Sequence, residues 1–273
     1  MQERPTVEHS SEAPGAASAA RPLGLPGLVV SLVAIALGMV LWLAIFASLV
    51  FAGALLFDRL AAIDDLIGSF GRFDPIRPEA DSGAQRALFA GGALIYLSAL
   101  ASILTVARLV AKEQAGELLG WRGPWPRIER TGWLLIACAP LYHIAAGATL
   151  RYFFPDFALW LIPPRDVIAL ALSFLMIVIL APLAEELLFR GWIFGSLRAR
   201  FSAAAAILVA TFLFAIVHWD PTGFYPVAVL APGFVLSVLR ERTGSVKPAV
   251  LGHAIYNGIG WLLLVLLGLF LTR

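Results

Sequence analysis

Ala181-Pro182-Leu183-Ala184-Glu185-Glu186-Leu187-Leu188-Phe189-Arg190-Gly191 closes an apolar run that begins at Val167, and it sets two adjacent carboxylates and a guanidinium inside lipid-soluble sequence. An ionisable side chain near the bilayer centre costs about 2.5–3.5 kcal/mol on insertion scales, so several together belong in a bundle interior or a water-filled cavity. The run therefore reads as a membrane-spanning helix that carries a polar site. Glu186 and Arg190 are four apart on such a helix, share a face and can pair. Glu185 points about 100° away. It is left free to address something else, as a general base must be. The bland alternative makes both glutamates partners of Arg190.

The rest of the chain agrees with a membrane setting. Its 273 residues are 60% hydrophobic and only 14% charged, with a mean hydropathy of +0.86. Soluble domains carry about 25% charged residues. The net charge of +2 comes without a basic run, which leaves no footprint for a nucleic-acid partner. One cysteine, Cys138, excludes an intrachain disulfide and a cysteine-based metal cluster.

A spanning helix needs about 20 mainly apolar residues. That length predicts an all-α, polytopic transmembrane bundle of about seven spans (six to eight): 27–57, 88–110, 132–150, 167–189, 203–219, 223–240 and 248–271. Residues 1–26, rich in Ala, Pro, Ser and Glu, read as a disordered tail. Residues 27–273 read as one transmembrane domain. The apolar stretch from Pro26 to Phe57 exceeds a signal-peptide core and is read as an uncleaved first span. Pro226, Pro232 and Gly233 break the sixth segment, and the aromatics of residues 151–160 suit an interfacial stretch. Lys and Arg gather on the tail and on the second, fourth and sixth connections, which predicts a cytoplasmic N-terminus in an inner membrane.

Two further polar stations follow the glutamates. Phe214 and His218, and His253 and Asn257, are each four apart and stack on one helix face. If the chain turns near Phe201, Glu185 and His218 lie at matching depths of about 24–26 Å at ~1.5 Å per residue. His253, six residues beyond Lys247, fits that depth only if the sixth segment fails to span or the last helix begins well below the surface. Gly191 and Gly195 form a small-xxx-small pair suited to close helix approach. Pro182 frees a backbone carbonyl beside the site. Asp220 could orient His218 or simply open a turn. His143 reads as a core histidine. No His-Glu-x-x-His, Gly-x-Ser-x-Gly or phosphate loop is present. Glu185, His218 and His253 could hold Zn²⁺ with an open position. Equally, Glu185 and His218 could activate water without metal while His253 and Asn257 donate to an oxyanion.

Glu185-Glu186-x-x-x-Arg190, Phe214-x-x-x-His218 and His253-x-x-x-Asn257 resemble, in order and spacing, the three motifs of the CAAX-protease and bacteriocin-processing family of intramembrane endopeptidases. Glu241-Arg-Thr-Gly-Ser245 is also typical of it. The likeness covers about residues 167–260, and the first three spans carry no signature. It implies an all-helical fold with a polar cavity, a membrane-embedded peptide or protein substrate, and water activated by Glu185 and His218. It further implies an oxyanion site at His253 and Asn257, with Glu186 and Arg190 in support. The family has been described both as metalloproteases and as metal-free glutamate-dependent enzymes, so the cofactor is either Zn²⁺ or none. The Ala- and Arg-rich composition looks bacterial. Two other readings use the same residues: a non-catalytic immunity or scaffold protein of this fold, and a proton-coupled transporter.

Overall fold

The computed structural model describes residues 25–56, 82–121, 123–153, 163–164, 166–219 and 225–271. Among them the chain forms seven helices and no strand: α1 (Leu25–Leu56), α2 (Ser82–Ala111), α3 (Arg130–Phe153), α4 (Val167–Arg198), α5 (Ala203–Ile216), α6 (Tyr225–Thr243) and α7 (Lys247–Leu271). They coincide with the seven expected segments. Among the described residues four stretches are long and apolar enough to cross a membrane: Leu25–Ala52, Gln85–Leu118, Val167–Arg198 and Lys247–Leu266. That makes the chain an integral membrane protein in outline. Helix α5, with 14 residues, reaches only about 21 Å against a ~30 Å hydrocarbon core. Helix α6 ends in charge, at Arg240 and Arg242.

Helices α1 and α2 pack antiparallel, with Leu28 and Ile35 against Ile103, Val106 and Ala107. The Ser102 hydroxyl donates to the Ile35 carbonyl at 2.7 Å. The outer face of α1 shows Val30, Leu37, Val40 and Leu49, each more than 60% exposed, as a lipid-facing helix should. A second core joins α4 to α5 through Phe189, Ile193, Phe194, Ala210 and Phe214. A third joins α3, α6 and α7 through Ile136, Val235, Leu236, Leu239 and Ala249.

The ends of α2, α4 and α6 and the start of α7 meet at one basic face. Arg198 donates to both oxygens of Glu241 at 3.1 and 3.0 Å, and Arg242 donates to Thr131 at 2.8 Å. Gly244 turns the chain there in the left-handed region, at φ +67°. Val246 N–H then bonds the Gly120 carbonyl at 3.0 Å, and the buried Lys247 ammonium donates to Gly123 at 2.6 Å.

This junction fixes the depth of His253. A Cβ on Gly191 would lie 2.9 Å from the Leu119 carbonyl oxygen, so α4 passes the segment that follows α2 at Gly191 and runs on to Arg198. The last helix starts at the Gly191 level, about 10 Å inside the end of α4 at ~1.5 Å per residue. Helix α7 thus begins inside the end of α4, which brings His253, six residues past Lys247, level with Glu185, six residues before Gly191.

Candidate functional site

Helix α4 leaves α-geometry twice, in π stretches at Leu175–Leu180 and Leu187–Ile193, and Glu185 and Glu186 end the short α segment between them. Such π turns appear mostly as single insertions, frequently at functional sites. The first has a local cause. Ala181 N–H donates to Met176, five residues back, and the next residue, Pro182, has no N–H to give to Ile177. Asn257 supplies the missing donor, with Nδ2 at 2.9 Å from the Ile177 oxygen. The carbonyl freed by Pro182 thus becomes the anchor that ties α7 to α4.

Glu186 and Arg190 are both 0% exposed. Arg190 Nη1 donates to Glu186 Oε1 at 2.8 Å and Nη2 to the Gly233 carbonyl at 2.7 Å. Its guanidinium lies 4.3 Å from the Phe214 ring centroid. Gly233 allows this approach, since a Cβ there would sit 3.0 Å from the same ring. The counter-ion role expected for Glu186 matches this geometry, and the same Oε1 also meets His253 Nδ1 at 2.8 Å.

His218 stands just past the end of α5. Its own N–H turns to the Ala215 carbonyl at 3.1 Å, which leaves the Phe214 carbonyl without its helical donor. The imidazole fills that place, with Nδ1 at 2.7 Å from the Phe214 oxygen. A carbonyl only accepts, so Nδ1 carries the proton and Nε2 is turned toward the site. His253 follows the same logic, since the Glu186 carboxylate accepts from its Nδ1.

Both Nε2 atoms converge on one oxygen. Glu185 Oε2 lies 3.7 Å from His218 Nε2 and 3.9 Å from His253 Nε2, is buried, and has no hydrogen-bond partner. The other carboxylate oxygen, Oε1, accepts from the Tyr96 hydroxyl of α2 at 2.8 Å. A water bridging Oε2 and an imidazole nitrogen, about 2.8 Å from each, needs the carboxylate to turn slightly toward the cavity, because Oε2 is fully buried as it stands. All four side chains, with Asn257, line a cavity of about 450 Å³ whose remaining walls are largely apolar, including Met176, Ile177 and Leu264.

Glu185, Glu186, Arg190, His218, His253 and Asn257 therefore gather in one cluster. Tyr96 joins them unannounced, because a lone tyrosine in an apolar segment carries no sequence signal. The Gly233 carbonyl was equally silent. Asp220 and most of the expected interfacial stretch lie outside the described residues. Among the described residues no group of three His, Cys, Asp or Glu side chains is already gathered at metal-ligand spacing; a tetrahedral zinc would hold its donors about 3.3 Å apart, against the 3.7 and 3.9 Å from Glu185 Oε2 to the two imidazoles.

Residues 167–259 match the family described as Rce1-like, type II CAAX prenyl endopeptidase, and that segment belongs to it, as the three motifs indicated. The chain is also 37% identical over 95 residues to the UPF0177 protein YxdF of Lactococcus lactis subsp. lactis. That alignment takes in 34% of this chain and spans about half the length of the relative. No solved structure matches the chain.

Proposed function

We propose that the chain is an intramembrane endopeptidase that hydrolyses a peptide bond with a water activated by Glu185. The observation that carries this reading is the buried, unpartnered Oε2 of Glu185, faced by two imidazole Nε2 atoms at 3.7 and 3.9 Å at the wall of the cavity. A carboxylate in that position takes a proton from water as the water oxygen attacks the scissile carbonyl carbon. The proton on Glu185 then passes to the leaving nitrogen as the C–N bond breaks, which returns the carboxylate. His218 Nε2 accepts a hydrogen bond from the other water hydrogen, which leaves a lone pair of the water oxygen aimed at the carbonyl carbon.

The oxyanion falls to His253 and Asn257. Asn257 spends one amide hydrogen on Ile177 and keeps one for the cavity. His253 donates from Nε2 when its ring holds both protons, and the Glu186 carboxylate at Nδ1 is the counter-charge for that form. No step needs a metal. The family match adds a peptide or protein substrate, and the apolar walls suit one embedded in lipid. The basic face is assigned to the cytoplasm of a bacterial inner membrane by the positive-inside rule.

The test is cleavage of a mixture of internally quenched apolar peptides by the full chain in liposomes. Wild type should cleave and Glu185→Gln should lose at least about 100-fold, the usual scale for removing a general base. Glu185→Gln at wild-type rate, or no cleavage of any peptide, overturns the reading. Uptake of an ion or solute that vanishes in the same variant, without cleavage, would point to a transporter instead.

A further inference from the structure

Glu185 and Glu186 are neighbours with opposite treatment. Glu186 faces a guanidinium and is held as half of an ion pair. Glu185 receives a neutral donor, the phenol of Tyr96, on one oxygen only. A cation on that oxygen would quench the carboxylate as a base, whereas a phenol orients it and leaves its charge in place. The terminal torsion of a glutamate is broad, so without a donor the carboxylate plane can swing and hold neither oxygen in line with the imidazoles.

We infer that Tyr96 is a positioning residue: its hydroxyl fixes Oε1 of Glu185 so that Oε2 faces His218 and His253. The inference rests on the endopeptidase reading and adds to it a residue from α2, outside the segment that matches the family. The approach of α2 to α4 is built for it. One turn before Tyr96, Gly92 leaves space that the Met176 side chain of α4 occupies, where a Cβ would collide. The Tyr96–Oε1 bond also survives catalysis. When Glu185 holds the proton on Oε2, Oε1 is the carbonyl oxygen and still accepts from the phenol. Tyr96 itself neither gains nor loses a proton.

The test uses the full chain in liposomes with one internally quenched apolar peptide that wild type cleaves. Tyr96→Phe should lower kcat about 10- to 100-fold with KM within twofold, since orientation of the base matters only to the chemical step. Ser98→Ala is the control on the same helix. Ser98 is buried but bonded to the Leu94 carbonyl, away from Glu185, and its loss should leave kcat unchanged. Tyr96→Ala should recover part of its lost rate with added phenol and none with toluene. Wild-type kcat in Tyr96→Phe, a loss confined to KM, or equal rescue by toluene overturns the inference. Each of those results leaves the endopeptidase reading intact as long as Glu185→Gln is inactive. If Glu185→Gln is active, that reading itself fails.

Discussion

Asn257 Nδ2 donates to the Ile177 carbonyl at 2.9 Å and so closes the gap that Pro182 opens in the backbone of α4. The bond lies between a π turn and the last helix, one turn beyond His253, and therefore sets the register of His253 against Glu185 and Glu186. Asn257 is a strut for the site as well as a polar wall of its cavity.

Replacing Asn257 by Asp removes both roles at once. The carboxylate keeps the size but cannot donate, which leaves the Ile177 carbonyl unsatisfied at a cost of about 1–3 kcal/mol. It also brings a second negative charge beside Glu185. The expected outcome is a lowered thermal midpoint together with lost cleavage. A variant as stable as wild type would show that the Ile177 bond contributes nothing.

Glu186 and Arg190 form a pair with no access to solvent. Removing one partner of such a pair typically costs about 3–5 kcal/mol, while replacing both with apolar groups of similar volume is often near neutral. Arg190→Met and Glu186→Leu should each be strongly destabilised in denaturation of the purified protein. The double variant should recover much of that loss. It should still not cleave, because His253 has lost the Glu186 oxygen that holds its Nδ1. Equal destabilisation of single and double variants would contradict the pairing.

The two glycines of the small-xxx-small pair are not equivalent. A Cβ on Gly191 meets the Leu119 carbonyl oxygen at 2.9 Å, and backbone cannot swing aside; a Cβ on Gly195 lies at an ordinary 3.7 Å from the Leu118 oxygen. Gly191→Ala should cost about 1–3 kcal/mol by overpacking. Gly195→Ala should be neutral or slightly stabilising. Thermal midpoints in the reverse order would mean that α4 does not pass the Leu119 backbone at Gly191.

The opposite end of α4 offers a pH test. Asp166 caps the helix, accepting from Ile168 and Ala169 N–H at 2.9 Å each. The Ala169 bond chiefly, with Arg86 beside it, holds the Asp166 carboxyl below its ordinary value. A lowered folded value means stability that is complete above the unfolded value of about 3.9 and is lost as pH falls through the folded one. Asp166→Ala should therefore cost about 1 kcal/mol near neutral pH. Its gap to wild type should begin to narrow near about pH 4 and close only once pH falls below the folded value. A gap unchanged at acid pH would assign the effect to something other than the cap.

Apolar run length was enough to locate all seven helices, because burial in lipid writes itself into composition. Spacing by four was enough to bring the Phe214 and His218 rings together, although His218 stands in a tight turn just past the helix, and it put His253 and Asn257 one turn apart on α7. The expected end of the fifth segment at residue 219 overshot α5, which stops at Ile216 where the chain tightens around His218. The depth of His253 was not legible, since rise per residue says nothing of the level at which a helix starts. That level is set by the close approach of Gly191 to Leu119, a contact between segments 72 residues apart. Tyr96 was hidden for the same reason: its partner is 89 positions away.

The question of metal turns on three atoms. His218 Nε2 and His253 Nε2 stand 3.7 and 3.9 Å from Glu185 Oε2, and each imidazole is fastened at Nδ1 to an acceptor on its own side of the site. Drawing the three donors onto a zinc would require a closer set, held by helices already locked through Arg190 and Asn257. Cleavage in liposomes should therefore survive a strong chelator at millimolar concentration with less than twofold loss. Added Zn²⁺ should inhibit, because an ion drawn to Glu185 Oε2 displaces the water that the carboxylate must deprotonate. Loss of activity with chelator that returns on adding back Zn²⁺, together with about one equivalent of bound metal in the purified chain, would replace the water held by Glu185 with one held by an ion.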